Sequence, residues 1–265
     1  MTVQPAAAQL FAQALHDMLT LLLVSVRMLV AFEFIPILGT SALLGMVRLC
    51  IGLSLACLLV PAVRGQWSAS ATPEVFLLVV AKEGFLGLLL GFVAGSIFSV
   101  MNAVGKILDQ QVGSTQSAVH DPTVSQPGGA TSQFLVQLTA TAVLCSGAFL
   151  IMVGGLYESY GVWPVWSWWP HLAPRYVSVM AAEFGQQTDL ALQLSLPFLT
   201  LMLVIEIGMG VLARAVPSLD CNAFAMSLKH LCVQWLLLIL CSALIARCIA
   251  LVSSPAFHKL FELFH

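Results

Sequence analysis

The sequence predicts an all-α membrane protein, a stack of helical hairpins built from about six long apolar helices. Three observations carry that prediction. Apolar residues make up 60% of the 265 and charged residues only 8%, whereas about a quarter of an ordinary globular chain is charged. The apolar residues gather into six stretches, residues 18–37, 43–61, 75–101, 134–157, 190–212 and 228–252; each is close to the roughly 20 helical residues that cross a hydrocarbon core of about 30 Å. None alternates as a barrel strand would, and backbone groups in lipid must be satisfied within their own segment, so helices are the expected state. The same composition excludes two classes. A net charge of −2, from 10 Lys and Arg against 12 Asp and Glu, leaves no basic face for nucleic acid, and a chain this apolar does not stay disordered.

At the N-terminus no Lys or Arg precedes the first stretch and no short apolar run with a small-residue cleavage site follows, so removal of a signal peptide is not expected. Only residues 38–42 separate stretches one and two, and only 217–222 separate five and six. Each pair should form a tight antiparallel hairpin. The third stretch carries Gly84, Gly87, Gly91 and Gly95, then Ser99, at three- and four-residue steps. Small residues on one helical stripe let backbones approach closely, and five exceed what one hairpin contact needs, so the stripe reads as a face for stacking on a subunit or hairpin.

Residues 102–133 form a long polar connection rich in Gln, Ser, Thr and Gly, with breakers at Asp121-Pro122 and Pro127-Gly128-Gly129. Unstructured loops of that length are usually functional or mobile. Residues 158–189 set Trp163, Trp166, Trp168 and Trp169 among Pro164, Pro170 and Pro174, the composition of an aromatic belt at headgroup level. Pro197 is placed to break the fifth stretch. The thirteen residues after Val252 read as a short amphipathic coda. Across six spans the loop charges tie, with Arg64, Arg175 and Lys259 on one side and Lys106, Arg214 and Lys229 on the other, so the positive-inside rule sets no orientation.

Eight charges lie within the apolar stretches: Arg27, Glu33, Arg48, Lys82, Glu83, Glu206, Lys229 and Arg247. Lys229 and Arg247 are near segment ends and can snorkel. A central Arg, Lys or Asp costs about 2.5 to 3.5 kcal/mol on insertion scales, so the other six should be buried against a bundle interior, a watery cavity or a partner chain. Arg27 and Glu33 are six residues apart and cannot pair on one helix; Glu33 with Arg48 across the first hairpin is the pairing on offer. A proton or ion relay is the functional alternative, but its carboxylates would be only Glu33, Glu83 and Glu206.

Signals for enzyme chemistry are lacking. No phosphate-loop, zinc-protease, nucleophile-elbow or dinucleotide motif occurs. His120-Asp121 and Ser125 share the polar connection, where a proline turn explains Asp121-Pro122 without catalysis. Of the seven Cys, Cys50, Cys57, Cys145, Cys232, Cys241 and Cys248 sit in apolar runs and no C-x-x-C pair occurs, so they read as small packing residues. Cys221, Cys232 and His230 lack the close ligand pair of a structural zinc site. No catalysis, metal or cofactor is expected.

Several motifs together resemble one family. Ser25-Val26-Arg27, Phe34-Ile35-Pro36-Ile37-Leu38, Val47-Arg48-Leu49 and Val60-Pro61 are similar to the opening hairpin of the type III secretion export apparatus family known as SctT, whose flagellar relative is FliR. Gly91-Phe92, the run Gly105-Lys106-Ile107-Leu108-Asp109-Gln110-Gln111-Val112-Gly113 and Asp121-Pro122 resemble its polar central motif, and Pro197, Gly208, Arg214 and Pro217 its final hairpin. Asp109-Gln110-Gln111 looks more like the injectisome branch than the flagellar one. The likeness spans nearly the whole chain.

That resemblance implies a non-enzymatic subunit of an export gate at the bacterial inner membrane. It would assemble with SctR- and SctS-like subunits and an autocleaving SctU-like one into a channel for secreted unfolded polypeptides, in contact with membrane lipid. Hairpins stacked largely above the bilayer plane would account for the tied loop charges. In the family the polar central segment projects into the channel as part of a plug, which maps here onto residues 106–127, with Lys106, Asp109, Gln110, Gln111, Gly113, Asp121 and Pro122 as closure residues. The Lys82-Glu83 pair and the Trp-rich connection have no counterpart in that pattern. Two other readings compete. One is a conventional polytopic transporter with a charged intramembrane site lined by Glu33, Lys82, Glu83 and Glu206, although no half-to-half repeat supports it; the other is a purely structural membrane scaffold.

Overall fold

The computed structural model describes residues 3–39, 44–63, 73–113, 129–167, 176–216 and 221–252, and every regular element among them is a helix. The helices are α1 (Val3–Glu33), α2 (Gly45–Val63), α3 (Pro73–Val112), α4 (Ala130–Cys145), α5 (Ala148–Val162), α6 (Tyr176–Ala215) and α7 (Cys221–Val252). Five are long and apolar enough to cross a membrane, and the bent pair of α4 and α5 makes a sixth span if counted as one. The all-α class and the six apolar spans follow the sequence.

Local chemistry fixes the helix ends. α1 stops at Glu33 because Pro36 disfavours helical backbone in the residue before it, and the chain tightens into turns in which Ile35 N donates to Phe32 O and Leu38 N to Ile35 O. α3 opens with Pro73, whose missing N–H is an orphan in any first turn, and with Glu74, an anion at the positive end of the helix. It is 40 residues long, as is α6, so each spans about 60 Å, twice a hydrocarbon core.

Several boundaries differ from the sequence reading. The polar connection does not begin at Asn102: α3 runs on to Val112 and ends at Gly113, whose φ of +80° is the left-handed conformation glycine tolerates. α4 already begins at Ala130. The fourth stretch is two helices, broken at Ser146 and Gly147, and Gly147 again has a positive φ of +75°. The Trp-rich connection is shorter than 158–189, because α5 continues to Val162 and α6 starts at Tyr176. Pro197 does not break α6, which passes through it, although the ring leaves the Gln193 carbonyl without its helical donor.

Contacts divide the chain into two units, residues 1–95, 149–176 and 254–265 in one and 96–148 and 177–253 in the other. In the first unit, α1 is the centre, with Leu23, Val24, Met28, Phe32 and Ile35 buried. α2 lies against it at Gly52, where a Cβ would meet the Leu29 side chain at 2.6 Å. α1 also runs parallel to the first part of α3, for Gly87 faces Arg27, Gly91 faces Ala31 and Gly95 faces Phe34. A Cβ on Gly91 would stand 2.8 Å from the Ala31 Cα and carbonyl oxygen, and one on Gly95 would overlap the Phe34 carbonyl. The close approach announced by the glycine spacing is therefore filled from within the chain at these three positions. A Cβ on Gly84 would make only ordinary contact, with Val26 at 3.9 Å, and Ser99 is exposed. In the second unit the rest of α3 buries Phe98, Met101, Val104 and Leu108, α6 buries Phe198 and Met202, and α4 packs with α7.

Candidate functional site

Among the described residues the first unit holds a buried charge cluster. Arg27 and Glu83 have no solvent exposure and form a two-pronged pair, Arg27 Nε to Glu83 Oε2 at 2.7 Å and Nη2 to Oε1 at 3.0 Å. A planar guanidinium matches a carboxylate in this way, with more strength and direction than a single ammonium contact. Arg27 also donates to Ser159 Oγ at 3.0 Å and to the Trp163 carbonyl at 3.1 Å, and its guanidinium carbon lies 4.1 Å from the centre of the Tyr160 ring. Tyr160 in turn donates to the Val24 carbonyl at 2.7 Å. One arginine thus ties α1 to α3 and α5.

Beside it, Lys82 is turned toward the end of α5. Its ammonium donates to the carbonyls of Pro164 (3.1 Å), Val165 (2.5 Å) and Ser167 (3.1 Å) and sits 3.2 Å from Glu83 Oε1. A compact cation with three donors suits converging carbonyls at the negative end of a helix. Trp163, read from sequence as part of an interfacial belt, is buried here, its indole N–H donating to the Ser167 carbonyl at 3.0 Å and its ring 5.7 Å from Lys82 Nζ. Trp168 and Trp169 lie outside the described residues. The Lys82-Glu83 pair and the start of the Trp-rich connection, both unmatched by the family pattern, are one structure.

The other charges differ from the expectation of burial. Glu33 and Arg48 do pair across the first hairpin, but at the chain's surface, with Glu33 about half exposed and Arg48 partly so. In the second unit Glu206 accepts from Lys229 at 2.5 Å, and Lys229 is the buried partner while Glu206 is half exposed. Lys229 does more than snorkel: it also donates to the Gln111 carbonyl, 3.4 Å away in the last turn of α3. Among the described residues no group of three His, Cys, Asp or Glu is placed to hold a metal.

The residues of the polar segment fall into three sets. Lys106, Gln110 and Gln111 are exposed on the end of α3. Asp109 is buried at 2% exposure and points elsewhere, accepting from the backbone N–H groups of Thr131 (Oδ1, 3.2 Å) and Ser132 (Oδ2, 3.0 Å) in the first turn of α4. Gly113 ends α3 against Met226 of α7. Asp121 and Pro122 lie outside the described residues. Ser159 and Tyr160 lie just past the fourth apolar stretch, where composition alone reads as a loop and marks neither, and the sequence offers no partner for Asp109.

A chain of long apolar helices with paired charges at its helix contacts is the class these features define. The chain belongs to the bacterial export proteins, family 1, whose family model matches residues 18–254. It is 32% identical over 233 residues to the Yop proteins translocation protein T of Yersinia pestis, covering 88% of this chain and 89% of that one. It is 25% identical to the flagellar biosynthetic protein FliR of Bacillus subtilis, over 84% of this chain and 86% of the relative. The surface presentation of antigens protein SpaR of Shigella flexneri is 26% identical over 88% and 89%. These relatives bear out the resemblance to the SctT and FliR family, and the long apolar helices of the chain are candidate membrane spans.

Proposed function

We propose that this chain is a non-enzymatic subunit of the type III export gate at the bacterial inner membrane, and that it assembles with SctR-, SctS- and SctU-like subunits into the channel that passes unfolded polypeptides. The observation that carries the reading is the family match, which runs through both the hairpins and the polar segment. We further propose that the stretch 106–127 contributes to channel closure. Its support is the placement of the polar residues: α3 keeps an apolar buried side through Val104, Leu108 and Val112 while Lys106, Gln110 and Gln111 stand exposed on its last turns, and Gly113 then ends the helix. Polar side chains at the end of a long apolar helix need water or a polar partner, and a channel supplies it. The transporter reading loses its footing, because within the first unit Glu33 and Glu83 are each paired to an arginine, and within the second Glu206 is paired to Lys229.

The test deletes residues 112–122 in cells expressing the complete gate and measures ion conductance or small-solute uptake beside assembly on a native gel. An assembled gate that leaks is the expected result. An assembled gate that stays tight refutes the closure role, and normal assembly of the apparatus without this chain refutes the subunit role.

A further inference from the structure

Asp109 belongs by sequence to the polar motif, yet its carboxylate is 2% exposed and so does not face a channel. It is spent on α4. The first N–H groups of a helix have no partner within it, and the residue at the cap position of α4 is Gly129, which has no side chain to supply one. Asp109, twenty residues earlier on α3, fills that role with both oxygens, to Thr131 N and Ser132 N, and places its negative charge at the positive end of the helix dipole. The fit is exclusive. A Cβ on Gly129 would overlap the Asp109 carboxyl group, and one on Gly105 would overlap the Ser132 backbone. Two glycines are thus the condition for bringing the carboxylate onto the helix end. The opposite pole is treated in the opposite sense, for the last turn of α3 gives the Gln111 carbonyl to Lys229.

We infer that Asp109 is a positioning residue, a cap supplied from α3 that fixes the start of α4 against the last turns of α3. The inference rests on the closure reading for its consequence, not for its geometry. The test uses the complete gate and the variants Asp109→Ala and Asp109→Asn, the second keeping size and one acceptor oxygen should the first fail to assemble. Hydrogen exchange at Thr131 and Ser132 should quicken about ten-fold, the effect of losing a helix cap, while exchange from Leu135 onward stays as in the parent. Conductance should rise with it. Unchanged exchange at Thr131 and Ser132 in whichever variant assembles overturns the cap, and quickened exchange with parental conductance overturns the positioning role. The deletion of 112–122 judges the closure reading separately, since a tight deleted gate refutes closure whatever the exchange at α4.

Discussion

Glu83→Gln should be the most damaging single change among the charged residues, and more damaging than loss of its partner. Arg27, Lys82 and Glu83 form a cluster of two cations and one anion, with Arg27 and Glu83 fully buried. Removing one partner of a buried pair costs about 3 to 5 kcal/mol because a charge is left uncompensated. Arg27→Met leaves Lys82 beside Glu83, a neutral remainder, and belongs at the lower end, about 3 kcal/mol. Glu83→Gln leaves two adjacent cations with no carboxylate and belongs at the upper end, about 5 kcal/mol. Arg27→Lys should not rescue, because one ammonium cannot hold both carboxylate oxygens and also reach Ser159 and Trp163. The matched control is Glu33→Gln, which breaks an ion pair whose carboxylate is half exposed and so should cost no more than about 1 kcal/mol. The assay is the thermal midpoint of the detergent-purified gate. At about 2 to 4 °C per kcal/mol for a chain of this size, Glu83→Gln should lower it by roughly 10 °C or more and Glu33→Gln by a few degrees at most. A larger loss for Arg27→Met than for Glu83→Gln, or an unchanged midpoint for Glu83→Gln, would refute the charge accounting.

Two further changes test the backbone. Gly95→Ala should reduce the yield of folded chain, because its Cβ would overlap the Phe34 carbonyl and overpacking costs about 1 to 3 kcal/mol, whereas Gly84→Ala, with its nearest neighbour at 3.9 Å, should match the parent on gel filtration; equal yields for the two would sink the α1–α3 contact. Gly113→Ala should lower the thermal midpoint by a few degrees, since left-handed backbone costs an alanine about 1 to 2 kcal/mol and its Cβ would come 2.6 Å from Met226 Cε; an unchanged midpoint would show that α3 does not end there in the left-handed conformation.

What the sequence made legible was whatever depends on spacing within one helix. The six apolar stretches gave the class, and the four-residue step of Gly87, Gly91 and Gly95 gave a close backbone contact. The identity of the surface across that contact was hidden, because a stripe records only that something approaches. The stacking face therefore turned out at those positions to be α1 of the same chain. Arg27 and Glu83 are 56 residues apart, and nothing in one sequence says that two such positions meet, whereas Glu33 and Arg48 were found because a short joint limited their choices.

The misplaced loop start has a different cause, and it bears on how the polar segment works. Gln, Lys and Asp in residues 102–112 read as a loop by composition, but Met101, Val104, Leu108 and Val112 are buried at three- and four-residue steps, the pattern of one helical face. Polarity there marks the exposed side of a helix. Asp109 breaks that division, for it is charged and yet buried beside Leu108. A buried carboxylate persists only where donors replace the water it lost, and two backbone N–H groups of α4 are those donors. Exposed and buried polar residues in the same motif thus have separate work. Lys106, Gln110 and Gln111 are available to whatever lies outside the helix, while Asp109 holds α3 to the start of α4. Substitutions in the first group should alter what the segment meets, and those at Asp109 should alter where the segment is held.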